Sequence, residues 1–423
     1  MKHLFKSGMI ATLMAATLST FGQVNNRDLQ QFRFPDQRGI NQFEALEDNN
    51  VIFDGVKVRM GGAFALQLQG LSHSTGSMDT LIDIGTNFNL PTANLDLDVA
   101  LADGMRMHIR TYLSSRHHPE SWVKGGYLQI SKLDFIKPGF LENVMDITTI
   151  KVGLMEINYG DYHFRRTDNA RAIYNPFVGN LILDAFNTEA GAEIYVTPGD
   201  FLIMAGLTNG KLNQNVTSPG AYDPVILGKL GYDRQFSDDL RLRLTSSLYM
   251  TGKSARNFLY NGDRGGSRFY LVMEDYTANA TSNFRSGRYN PGFTNEVTAV
   301  MINPFVKFKG LELLGTVELT SGKAEAETDT RNWTQLAADL VYRFGPTDNI
   351  YVGAKYNQAS GEEAFTGNDV TINRIEAGAG WYLTKNVMLK AEYVQQTYDG
   401  FDATNLLHEG QFDGIMMEAV VSF

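Results

Sequence analysis

The chain has 423 residues, no cysteine and a formal net charge of −10. Missing thiols exclude disulfides, thiolate metal sites and thiol catalysis, and the acidic balance argues against nucleic acid as a partner. Plentiful glycine (41) and aromatics (11%) against 11 prolines suit many strands joined by glycine-tolerant turns.

Residues 1–22 read as a secretory signal peptide. Lys2 and Lys6 make a positive start, and the run from Met9 to Leu18 is apolar. It falls short of the ~20 residues that a spanning helix needs. Small residues Thr20 and Gly22 precede a cleavage point before Gln23. Residues 23–50 are polar, with Phe32, Phe34 and Pro35, and predict a periplasmic linker that stays loose or folds into the mouth of the next unit. No later stretch is apolar over a spanning length, which excludes a helical membrane protein.

Residues 51–423 predict a transmembrane antiparallel β-barrel. From about 54 onward the hydrophobic pattern has period two. In Val56-Lys-Val-Arg-Met60 the apolar residues alternate with Lys57 and Arg59, and in Leu95-Asp-Leu-Asp-Val99 with Asp96 and Asp98. Further on, Arg106, His108 and Arg110 alternate with Met105, Met107 and Ile109, and Arg241 and Arg243 with Leu240, Leu242 and Leu244. Strand side chains alternate faces, so each segment has one apolar and one charged face. A soluble sandwich alternates too, but would need another home for these apolar faces.

Strand length and turn pattern favour the barrel. Strands are predicted near 54–71, 92–101, 105–115, 124–136, 147–158, 187–197, 201–210, 225–236, 240–251, 294–308, 311–321, 331–344, 350–359, 371–383, 387–399 and 411–423. Many reach the ~9–11 residues of a barrel span. Tight turns, as at Ala102-Asp-Gly104 and Lys309-Gly310, alternate with long polar loops near 72–91, 158–187, 252–293, 321–331 and 360–370. Aromatics gather at the tight-turn ends: Tyr195, Phe201, Phe236, Phe305, Phe308, Tyr342, Phe344, Tyr351, Trp381 and Tyr382. Amphipathic rings belong at a membrane interface. The count of sixteen is even, with both ends of the barrel on the periplasmic side. Alternation slips near Lys132, and 267–278 could add a hairpin, which leaves a range of fourteen to eighteen.

The chain finishes on Ile415-Met-Met-Glu-Ala-Val-Val-Ser-Phe423, with Phe423, Val421, Ala419, Met417 and Ile415 on one face. This resembles the terminal strand of Gram-negative outer-membrane porins, which implies recognition by the barrel-assembly machinery through Phe423. Val421 stands where the commonest form has an aromatic. Gly153-Leu-Met-Glu-Ile-Asn-Tyr-Gly160, Arg165-Arg-Thr-Asp-Asn169 and Asn175-Pro-Phe-Val-Gly179 resemble the strand and inward loop of the phosphate-selective porin O and P-like family. The likeness is of architecture. No basic ladder dense enough for phosphate selectivity accompanies it. The resemblance implies a bacterial outer-membrane channel in contact with lipid, and a homotrimer.

Lipid-facing positions must be apolar, so the charged parity lines the lumen. That assigns Lys57, Arg59, Asp96, Asp98, Arg106, His108, Arg110, Arg241 and Arg243 to the pore wall. Lys229 joins them in the first half, and Glu312, Glu318, Asp339, Arg343, Lys355, Arg374, Glu376, Lys390 and Glu392 in the second. Asp96 and Asp98 either neutralise Arg106, His108 and Arg110 across one hairpin or contribute to a field that orients solutes. The segment 158–187 is the third long loop, the one that narrows the lumen in porins of this size. Its Arg165, Arg166 and Arg171, against Asp161 and Asp168, are the candidate constriction; the alternative is a surface loop with solvated charges. His117-His118 before Pro119 reads as a solvated turn. No nucleophile elbow, phosphate loop, cofactor motif or metal-ligand spacing is present, so neither enzyme nor cofactor is expected. The reading is a porin for passive diffusion of small hydrophilic solutes, with the sign of selectivity open. The alternative is a narrow or plugged barrel serving adhesion or assembly through its outer loops.

Overall fold

The computed structural model describes residues 29–44, 51–116, 120–210, 222–254 and 256–423. The signal-peptide segment and His117-His118 lie outside these residues. Sixteen strands follow one another, beginning with β1 (Lys57–Ser74), β2 (Asn87–Ala102), β3 (Met105–Leu113), β4 (Trp122–Ile130), β5 (Thr148–Glu156), β6 (Thr188–Val196), β7 (Phe201–Thr208) and β8 (Val225–Gln235). The second half comprises β9 (Leu240–Thr251), β10 (Glu296–Phe308), β11 (Leu311–Lys323), β12 (Arg331–Phe344), β13 (Ile350–Glu362), β14 (Asp369–Thr384), β15 (Val387–Asp399) and β16 (Gln411–Ser422).

Each strand pairs antiparallel with its neighbours in sequence, and β1 pairs with β16 to close the barrel. The seam sets Phe64 opposite Val421 and Leu66 opposite Ala419. Closure leaves no edge strand, the condition for crossing lipid with strands. The period-two pattern maps onto the two faces as expected. Leu66, Leu95, Leu230, Leu244, Ile375 and Ile415 stand exposed on the outside, while Gln67, Asp98, Lys229, Asn303, Glu376 and Glu418 are buried inside.

Three details depart from expectation. First, β4 ends at Ile130 rather than near 136. Ser131 N–H donates to the Gly104 carbonyl at 2.8 Å, Lys132 pairs with Asp103 at 2.5 Å, and the chain then makes a one-turn helix at Glu142–Met145. Second, β2 starts five residues early at Asn87 and runs through Pro91, because the register steps between Ala65 and Gln67 and the proline falls at that irregularity. Third, the aromatic girdle is smaller than expected. Phe201, Phe236, Phe308, Tyr342, Phe344 and Trp381 are exposed outside, whereas Tyr195, Phe305, Tyr351 and Tyr382 have the opposite parity and are buried within.

Neither an extra hairpin nor a strand extension forms at 267–278. That stretch is irregular apart from a single bridge between Leu81 and Asp275. It belongs to a long connection, 252–295, that enters the barrel.

Candidate functional site: a charged lumen with two cavities

Three segments occupy the lumen: residues 29–44, the loop 157–187 and the loop 252–295. The loop 157–187 lies against the β10–β15 side. Val178 N–H donates to Glu392 at 2.6 Å, Ile182 N–H to Asn357 at 2.7 Å and Leu183 N–H to Gln335 at 2.8 Å. Lys390 Nζ donates to the Phe177 carbonyl at 2.7 Å. These contacts satisfy loop backbone groups that a buried irregular segment would otherwise leave unpaired.

Asp161 anchors the start of the same loop. It receives Arg243 Nε at 2.8 Å, Lys229 Nζ at 2.7 Å and the Thr245 hydroxyl at 2.9 Å. Burial opposes ionisation of Asp161, but the facing Arg243 and Lys229 hold its carboxyl below the usual range. Arg165 donates to Asn41 at 2.6 Å and to Glu312 at 3.0 Å. Arg166 spans Asp168 at 2.7 Å and Asp184 at 2.5 Å.

Residues 29–44 sit beneath this loop. Glu44 pairs with Lys229 at 2.9 Å and with Arg243 at 2.7 Å. The Arg33 guanidinium lies 3.8 Å from the Tyr174 ring centroid and donates to the Phe164 carbonyl at 3.1 Å. The loop 252–295 fills the β16–β1 side. Arg268 reaches Glu418 at 3.0 Å and donates to the Thr167 hydroxyl at 2.9 Å. Gln67 and Gln69 donate to the carbonyls of Arg268 and Tyr270 at 2.6 and 2.8 Å.

Part of the β1–β5 wall is left uncovered. A cavity of about 150 Å³ lies between it, residues 31–44 and the loop's Glu156–Tyr174 side. Its wall is a ladder of paired charges. Arg110 forks onto Asp96 at 2.7 and 2.6 Å. Asp98 accepts from Arg106 at 2.7 Å and contacts His108 Nδ1 at 2.8 Å. Arg171 reaches Glu156 at 2.6 Å. Among the described lining residues, seven are cationic (Arg33, Arg59, Arg106, Arg110, Lys124, Lys151, Arg171) and four are carboxylates (Glu44, Asp96, Asp98, Glu156). A second cavity of about 310 Å³ lies toward the outer loops, with Lys124, Arg256, Arg264 and Arg285 against Asp263 alone.

No family model matches the chain, and no curated relative matches it. Solved structures do. An anion-selective porin from Comamonas acidovorans is 11% identical with a TM-score of 0.54, covering 87% of this chain and 100% of its own. Salmonella typhi OmpF in complex with daunomycin is 14% identical with a TM-score of 0.52, covering 88% and 99%. The in-vitro folded, trimeric form of Vibrio cholerae OmpT is 12% identical with a TM-score of 0.52, covering 88% and 100%. The chain has the outer-membrane porin fold.

Within this barrel the residues singled out from sequence separate into three groups. Arg59, Asp96, Asp98, Arg106, His108, Arg110 and Arg171 line the first cavity. Asp161, Arg165, Arg166, Asp168 and Arg243 are buried in ion pairs that hold the loop. Lys57 pairs with Asp54 at 2.5 Å near the barrel rim, and Arg241 with Asp233 at 2.6 Å. Sequence reading missed Lys124, Lys151 and Asp263. Lys151 shares parity with buried Thr149 and Met155 and could have been read from it. Lys124 could not, because it is the extra residue of a β-bulge. Arg110 pairs with Gly125 and Thr111 with Val123, so alternation changes phase there.

Proposed function

We propose that this protein is a porin of the bacterial outer membrane for passive diffusion of small, anionic, hydrophilic solutes, exported through its 1–22 segment. Solutes pass along the β1–β5 wall, and the inward loop 157–187 narrows the path by filling the other side. One observation carries the sign of selectivity: both cavities have a cationic surplus, within a chain whose formal net charge is −10. Fixed charges lining a wet passage exchange for part of a solute's hydration and favour the opposite sign. The surplus is modest and neutralised rung by rung, so a general anion preference fits better than the dedicated phosphate selectivity of the porin O and P-like family that parts of the chain resemble. A homotrimer with lipid around it is the assembly we expect, with insertion through the barrel-assembly machinery at the β16 strand.

Reversal potential under a salt gradient, with the refolded protein in a planar bilayer, tests the reading. The expected result is discrete conductance steps with chloride preferred over potassium. A cation preference overturns the anionic reading. A second reading, a plugged barrel that acts through its outer loops, draws on the three segments packed into the lumen. Silence from a folded, heat-modifiable barrel would favour it.

A further inference from the structure

The two cavities share one lining residue, Lys124. Its ammonium is in contact with the carboxylate of Asp263, and both side chains are almost fully buried. Asp263 belongs to the loop 252–295, and several groups fix it. The Tyr112 hydroxyl donates to Oδ1 at 3.3 Å and Gly265 N–H to Oδ2 at 3.1 Å. Gly265 is seated so closely on the Thr92 methyl of β2 that a Cβ there would overlap it. On the strand side, the Lys124 ammonium stands 4.8 Å from the Tyr112 ring centroid and 5.1 Å from that of Phe186. Lys124 is also the bulged residue of β4, and bulges re-aim a side chain out of the regular ladder.

We propose that the Lys124–Asp263 pair is the partition between the two chambers, so that the loop 252–295 governs passage and selectivity together with the loop 157–187. This rests on the diffusion reading above. Asp263 is the sole carboxylate among the described lining residues of the outer chamber. Its placement puts that carboxylate where an entering anion would meet Lys124. A solute carrying a carboxylate can replace Asp263 on Lys124 one for one, because it offers the same charge and the same acceptor oxygens. Small mono- and dicarboxylates are therefore the class best matched to crossing this point.

The test uses the full-length refolded protein in planar bilayers, comparing the parent with Asp263→Asn and Lys124→Gln. Asp263→Asn keeps the shape and removes the charge. We expect its conductance to rise at least about twofold, with the reversal potential moving toward chloride. Lys124→Gln breaks the same pair from the strand side, and its reversal potential should move toward potassium. If the parent conducts with anion preference and neither variant differs from it, the partition is overturned while the proposed function stands. If the parent prefers cations, the anionic reading falls, and the partition stands or falls on the conductance of Asp263→Asn alone. If none of the folded, heat-modifiable proteins conducts, both are overturned.

Discussion

The two sides of the lumen carry similar charge and do different things with it. On β11–β15, Lys355, Arg374, Glu376, Lys390 and Glu392 point inward and are buried under the loop 157–187. Lys355 and Glu376 close on each other at 2.6 Å, and Arg374 donates to the Asn180 carbonyl at 2.6 Å. On β1–β3, Arg59, Asp96, Asp98, Arg106 and Arg110 have the same parity and comparable pairing, yet they border open space. Inward charge marks the lumen. Whether it serves to clamp a plug or to meet a solute depends on what covers it.

The strongest way to break this contrast is to cut an anchor of the loop 157–187. Glu312 accepts from both Arg165 and Arg343. Truncation in Glu312→Ala leaves two buried cations uncompensated, and we expect a loss of about 3–5 kcal/mol. The midpoint of heat-modifiability should drop, and single-channel traces should become noisy as the loop loosens. The matched cut on the open side is Asp96→Ala. Arg110 keeps a partner in the Asn169 carbonyl at 2.6 Å, so the stability loss should be only about 1.5 kcal/mol, the scale of one charge-assisted hydrogen bond. Its effect should appear in permeation instead. One more uncompensated charge beside a wet path contributes about 1 kcal/mol, or about fivefold in the anion-to-cation permeability ratio.

Arg171 sharpens the comparison within the loop. Of the three arginines expected at the constriction it alone borders the cavity, so Arg171→Ala should lower anion preference while Arg166→Ala should mainly destabilise. Reversal potential and heat-modifiability, measured on both variants, separate the two effects. The smallest effect concerns pH. Burial pulls His163 down from its ordinary value of 6.5 to about 4, aided by Arg171 and Lys229 and opposed by Glu156. The folded loop thus holds a neutral His163 where an unfolded one would be protonated. Its contribution to stability is complete above about pH 6.5 and is lost as pH falls toward about 4. His163→Asn should flatten that part of the stability–pH profile.

The barrel was legible because its physics is local. Each strand must hide one face from lipid, and residues such as Leu240 to Leu244 show that alternation directly; sixteen strands and their order followed. The lumen contents were less legible. Nothing periodic announces that 252–295 turns inward, and two of its anchors, Gln67 and Gln69, are neutral residues on a strand far away in sequence. Residues 29–44 are similar: Asn41 and Glu44 gain meaning only beside Arg165, Lys229 and Arg243. The aromatic girdle was read too generously because composition near a turn does not reveal parity, which places Phe308 outside and Phe305 inside.

The dry clamp and the wet ladder should also answer differently to salt. Mobile ions can enter the cavity along β1–β5, and the reach of a fixed charge there shrinks from about 8 Å at physiological ionic strength to about 3 Å at 1 M. They cannot enter between Lys355 and Glu376, which are both fully buried. On the diffusion reading proposed above, the barrel in brine would therefore sort solutes by size alone while keeping its shape.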